Sequence, residues 1–218
     1  MLKKTLKRSF VLWKIRQKIE KIKNAIRGGY VINNKGCTKL FKDIKGKNNR
    51  IIIGEGSRMD TNTIYIRGNN NQLVIGNDCI FGKDCSFRLE GNNIKITIGD
   101  KSTFTRSVNF TAQEDGSQII VGEDCMFSNT IVVRTSDSHP IYSLETKERL
   151  NPAESVFIGK HVWVAPNTKI MKGADIGDGS VIGSDTMINR KTAPRVLVVG
   201  MPARVVKENI EWTRDKLF

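Results

Sequence analysis

The stretch IGKHVWVAPNTKIMKGADIGDGSVIGSDTMI, residues 158–188, decides the fold. In it Ile158, Val164, Ile170, Ile176, Ile182 and Ile188 stand six residues apart without a break. A period of six fits neither the 3.6-residue helix nor the simple alternation of a half-buried strand. Three sixes make eighteen, the length of one three-sided coil of a parallel β-helix. Upstream the same spacing joins Ile53, Met59 and Tyr65, then Ile75, Phe81 and Phe87. It continues through Ile98, Phe104 and Phe110, and through Val121, Phe127 and Val133. These large residues are expected to fill the interior of short strands. Glycine often follows them directly, at Gly54, Gly76, Gly82, Gly99, Gly122, Gly159, Gly177 and Gly183, where it is expected to take the corner conformation. Four positions after the large residue comes a small or β-branched one: Ser57, Thr63, Cys79, Cys85, Ser102, Val108, Cys125, Val162, Thr168, Ala174, Ser180, Thr186 and Thr192. Coils built this way stack at the ~4.8 Å strand spacing, each covering the last.

The coils are not all bare triangles. Tyr65 to Ile75 is ten residues, and Phe87 to Ile98 and Phe110 to Val121 are eleven each, so each carries a short insert. The inserts hold Gly68-Asn69-Asn70-Asn71, Gly91-Asn92-Asn93 and Asp115-Gly116-Ser117, which is turn chemistry, and they should line one edge of the prism. Gly46-Lys47-Asn48-Asn49 precedes Ile51 in the same way, so an irregular first coil is expected from about residue 31. Val133 to Ile158 is twenty-five residues. The long loop this implies, about 134–157, contains Asp137-Ser138-His139-Pro140, and long loops inside compact repeats are often functional.

The ends of the chain differ from the repeat. Of a net charge of +14 over 218 residues, residues 1–28 hold +9, with ten Lys and Arg against Glu20 alone; the rest holds only +5. Val11, Leu12, Ile15, Ile19, Ile22 and Ile26 share one helical face, and Gly28-Gly29 stops the helix. A basic amphipathic helix over 1–29 therefore precedes the domain, either packed on it or lying on an anionic membrane surface. No apolar run is long enough for a membrane span or a signal peptide. At the other end, Asn209 to Asp215 suggests a short C-terminal helix within 207–218, capping the stack. The basic excess invites a nucleic-acid partner, but it is confined to the tail and no nucleic-acid motif accompanies it, so none is expected. Cys79, Cys85 and Cys125 fill small inward slots and read as buried, reduced packing residues, while Cys37 is unassigned. No Cys/His spacing suits a metal, and none is expected.

The segments Ile158–Ala165, Ile182-Gly183-Ser184 and Val199-Gly200-Met201-Pro202-Ala203-Arg204-Val205 resemble the hexapeptide-repeat O-acetyltransferases. The resemblance is specific over 121–206, rests on the repeat alone over 31–120 and does not reach residues 1–28. Within the family the pattern is most similar to the capsular polysaccharide (sialic acid) O-acetyltransferases. The resemblance implies an all-β, left-handed parallel β-helix over 30–206. It also implies acetyl-CoA as co-substrate, a saccharide or polysaccharide acceptor, and a homotrimer with sites between prisms. The need for acetyl-CoA and the lack of a signal-peptide pattern lead to the expectation of a cytoplasmic enzyme, which the basic 1–28 segment could hold at the inner membrane face. Rival readings are a small acceptor, such as an antibiotic or a simple sugar, and a non-catalytic β-helix module.

Acetyl transfer to a hydroxyl needs a base, and histidine suits it near neutral pH. The chain has two, His139 and His161. His139 lies in the long loop before Pro140 and upstream of Trp163, the context in which the resembling enzymes carry their catalytic histidine. It is the expected base, through Nε2. His161 lies inside a regular hexad and reads as surface. Asp137, Glu154 and backbone carbonyls are candidates to orient the His139 ring. By resemblance the Ala165 amide would donate to the oxyanion, Trp163 would flank the acetyl and pantetheine arm, and the backbone of Ser184 would meet that arm. Arg190, Lys191 and Arg204 suit the CoA phosphates, with Asn189-Arg190 standing where the family has Thr-Lys. Asn109 and Asn129 are acceptor candidates that fit coil-stacking roles equally. Arg134 and Arg106 could meet an anionic acceptor's carboxylate.

Overall fold

The computed structural model describes residues 30–32 and 39–217. The expected helix over 1–29 and Cys37 lie outside the described residues. The rest is a three-faced parallel β-helix, and no described helix is long and apolar enough to cross a membrane. One face is a seven-stranded sheet through Tyr30–Ile32, Arg50–Ile53, Gln72–Ile75, Lys95–Ile98, Gln118–Val121, Val156–Ile158 and Asp175–Ile176. The other two faces join as a thirteen-stranded sheet, because Thr103–Gln113 and Met126–Arg134 each run across the corner between them. The second face contains Phe81, Phe104, Phe127, Val164 and Ile182 in register; the third contains Phe87, Phe110, Val133, Ile170 and Ile188.

The interior is a column of these residues. Phe81 stacks on Phe104 at 4.3 Å and Phe87 on Phe110 at 5.3 Å, while Phe104 meets Phe110 edge-on at 5.6 Å. Such pairs add about 0.5–1.5 kcal/mol each beyond burial. The small slots are buried as the spacing requires, except Thr63. Burial pushes the Cys85 thiol up to about 11 and Cys125 to about 12, which suits inert packing residues.

Three expectations need correction. First, Tyr65 is not an interior residue. The corner at Asp60-Thr61 is one residue short, so Ile64 pairs with Phe87 and points inward, while Tyr65 faces out against Arg67 at 3.8 Å. Asn62 then takes the small slot and donates to the Gly82 carbonyl. Second, the glycine after each large residue does not supply the left-handed turn. That conformation falls two positions later, at Gly56, Asp78, Lys101, Asp124, His161 and Gly179, with φ between 51° and 73°. A Cβ on Gly122 would come within 2.6 Å of the Gly159 backbone, and one on Gly99 within 2.5 Å of the Gly122 backbone. Close approach of successive coils, not φ, requires glycine on this corner. Third, the described residues of the expected C-terminal helix, 207–217, form no helix. Arg204–Lys207 pairs antiparallel with Leu197–Val199, and the described chain beyond, to 217, is irregular and folds back over the corner between the first and second faces. Trp212 and Arg214 find their partners on that corner, so the segment docks through side chains rather than as a helical cap.

Candidate active site

The long loop leaves the third face after Arg134 and re-enters the first face at Val156. It sits on the edge where the shorter inserts stack. In those inserts Asn92 donates to Asp115 and Asn69 to Asn92, coil upon coil. The loop is clamped from both neighbouring coils. On one side Glu114 accepts a two-pronged contact from Arg149, at 2.6 and 2.8 Å, and a 2.6 Å bond from the Ser136 hydroxyl. The Arg149 guanidinium and, next, the Ser136 bond overcome partial burial and hold the Glu114 carboxyl down at about 2. On the other side Lys172 pairs with Asp137 at 2.7 Å and donates to the Pro152 carbonyl.

Inside the loop, buried Asn151 ties the turn around the histidine. Its Nδ2 donates to Asp137 Oδ2 and to the His139 carbonyl, and its Oδ1 accepts from the Ile141 amide. Ser138, at φ 68°, turns the chain immediately before His139; its hydroxyl accepts from Arg134 and donates to Gln113. The backbone at His139 is thus fixed while its side chain is exposed, and no described residue hydrogen-bonds its ring. That leaves both ring nitrogens available to a substrate. Of the orienting candidates, Asp137 is engaged with Lys172 and Asn151, and Glu154 lies over Gly173. Their contacts hold the loop rather than the ring.

A second cluster lies one face away, at the corner between the second and third faces. In successive coils it stacks Arg106 on Asn129, Asn129 beside Asn167, and Pro166 beneath Ser184 and Asp185. Trp163 stands outward on the second face beside this corner, with its side chain exposed and its register set by Met126 and Val181. Here the oxyanion expectation fails. The Ala165 amide donates to the Ile182 carbonyl at 2.8 Å, Pro166 has no N–H, and the Asn167 amide donates to Asn129. Coil stacking consumes every amide from 165 to 167.

The remaining expected residues scatter. Arg190 and Lys191 lie on the loop-bearing edge beyond the last coil, where Lys191 pairs with Asp175 at 2.9 Å. Arg204 is exposed on the antiparallel hairpin, and Ser184 is exposed at its corner. Asn109 accepts from Ser86 at 2.6 Å and donates to the Ser107 carbonyl, so its amide serves the coil stack. The Asn129 side chain makes only local contacts, with Ser128 and Thr130. Arg134 donates to the Ser136 carbonyl and the Ser138 hydroxyl, so its guanidinium braces the loop.

A family model described as bacterial transferase hexapeptide (six repeats) matches residues 155–190. A polysialic acid O-acetyltransferase of Neisseria meningitidis is 37% identical over 177 residues, covering 78% of this chain and 77% of that protein. Among solved structures, the polysialic acid O-acetyltransferase OatWY superposes with TM-score 0.78 at 32% identity, over 87% of this chain and 89% of that one. The polySia-specific acetyltransferase NeuO superposes with TM-score 0.68 at 29% identity, over 88% and 91%. The chain belongs to the hexapeptide-repeat O-acetyltransferases. Its fold is their left-handed parallel β-helix, and it is an acetyl-transferring enzyme.

Sequence reading missed the residues that hold this acetyltransferase's loop: Glu114, Arg149, Asn151 and Lys172. Arg149 and Asn151 belong to the loop itself; for Glu114 and Lys172 only a stacked-coil register could have pointed to them. Glu114 belongs to an insert one coil earlier, and Lys172 to a corner one coil later.

Proposed function

We propose that the enzyme transfers acetyl from acetyl-CoA to a hydroxyl of a sialic-acid capsular polysaccharide, with His139 as general base. Similarity to polysialic acid O-acetyltransferases over more than three-quarters of both chains carries the acceptor class. The fixed backbone and unpartnered ring of His139 support its role. His139 Nε2 takes the proton from the acceptor hydroxyl as its oxygen attacks the thioester carbonyl carbon. The C–S bond then breaks, and the proton passes from His139 to the departing thiolate. Arg190 and Arg204, exposed and without an ion pair among the described residues, suit the anionic phosphates of the donor.

The active form in this reading is a homotrimer. His139 is clamped to the loop-bearing edge, a full face away from Trp163 and Ser184 of its own chain, so a site that uses all three draws them from two prisms. The 1–28 segment would place the enzyme at the inner membrane face through its charge of +9.

Acetyl-CoA turnover against a panel of oligosaccharides, with product mapping, tests the acceptor. Sialylated oligomers should be preferred; equal turnover of neutral sugars would refute the acceptor class. A monomeric mass at micromolar concentration would contradict the trimer. Equal liposome co-sedimentation with and without residues 1–28 would remove the membrane role.

A further inference from the structure

The C-terminal segment meets the coil stack around one histidine, beside the bonds made by Arg214. His161 sits at a left-handed corner, φ 51°, with its ring flat against Trp212 at 4.1 Å and 10°. Its Nδ1 lies 2.6 Å from Asp124 Oδ2, and its Nε2 lies 3.0 Å from the Trp212 carbonyl oxygen. A carboxylate and a carbonyl both accept. A neutral imidazole has a single N–H and can satisfy one of them; only the imidazolium satisfies both.

Asp124 is a carboxylate here. Partial burial opposes its ionisation, but the bonds from His161 and Arg214 hold it below the usual range. The other charges around the ring are placed as follows. Arg214, on the C-terminal segment, donates to the same carboxylate at 2.8 Å and to the Asp124 and Cys125 carbonyls. Lys160 is paired with Glu123 at 3.0 Å, and Asp178 of the following coil accepts from the Lys160 amide. Arg195 and Glu211 line the same groove, which encloses about 390 Å³ between coil and segment. The indole N–H of Trp212 donates back to the His161 carbonyl, and its ring lies 6.0 Å from that of Trp163.

We propose that His161 is a positioning residue whose protonated ring clasps the C-terminal segment to the coil corner, so that Trp212 backs Trp163 on the donor side of the active site. The effect on the reaction rests on the reading of Trp163 as a wall of the acetyl-CoA site; the clasp itself does not. Loss of the ring removes both of its bonds and its stacking on Trp212. Without it the segment loosens, and the donor site loosens with it.

Amide exchange of the full chain without substrate tests the clasp. Protection over 208–216 should fall about tenfold in His161→Gln, which loses the ring and its stacking on Trp212, while His161→Arg, which keeps a planar cation with several donors, should remain docked. Protection as high in His161→Gln as in the wild type would overturn the clasp. Steady-state kinetics test its consequence. KM for acetyl-CoA should rise in His161→Gln in step with exchange, and Trp212→Ala should raise it several-fold with a smaller change in kcat. A raised KM in Trp163→Ala with none in Trp212→Ala would overturn the positioning role alone. An unchanged KM in Trp163→Ala would instead overturn the donor-side reading.

Discussion

The two histidines occupy opposite situations on two edges of the same prism. His139 has a backbone clamped by Asn151 and a ring that no described residue touches with a hydrogen bond. His161 has a ring bonded at both nitrogens and stacked on an indole. The contrast separates two uses of one side chain. A ring that must exchange protons with a substrate is kept unpartnered on a rigid support. A ring that must hold structure is saturated with acceptors.

The largest effect expected from breaking this contrast is His139→Ala, which should lower kcat by about 10²–10⁴-fold without changing thermal stability. His161→Ala should act on KM for the donor instead. Next comes the stack beneath the His161 edge. Gly122→Ala places a methyl 2.6 Å from the Gly159 backbone, so adjacent coils must part, at a cost of about 3 kcal/mol in denaturant unfolding. Ala165→Ser, at the corresponding position of the other corner, should cost far less, because Thr105 and Ser128 already stand in that column.

Asn151→Ala leaves the Ile141 amide and the His139 carbonyl without their partner. Kinetics should show kcat falling about tenfold, with loop protection in exchange reduced and the coil stack unaffected. A kcat equal to wild type would mean that the rigid support is unnecessary and would undo the contrast.

The smallest effect is a matter of sign. Glu114 is held at about 2 by Arg149 and Ser136, below its ordinary 4.5. A depressed carboxyl contributes stability above its unfolded value and loses it as pH falls from 4.5 toward about 2. The loop edge should therefore loosen in acid, and exchange measured across that range would show it.

Much of the architecture was legible in the sequence, because a six-residue period leaves few alternatives. The spacing placed the inward residues, the small slots, the inserts on one edge and the loop that carries His139. It failed where a single deletion shifted phase, as at Thr61, which turned Tyr65 outward and Ile64 inward. It also failed where the requirement was non-local. Glycine after each large residue was visible, but its cause, the backbone of the next coil, was not.

The same division holds for the site. By itself the sequence determined the repeat, the fold and the two candidate histidines, because a strand's inward and outward positions follow directly from residue order. Only the tertiary structure decided which amides remain free, which charges are already paired and which histidine is saturated. Those properties depend on atoms of coils some twenty residues away in the chain, brought within hydrogen-bond distance by stacking. That is why the Ala165 amide lost its expected role and His161 acquired one.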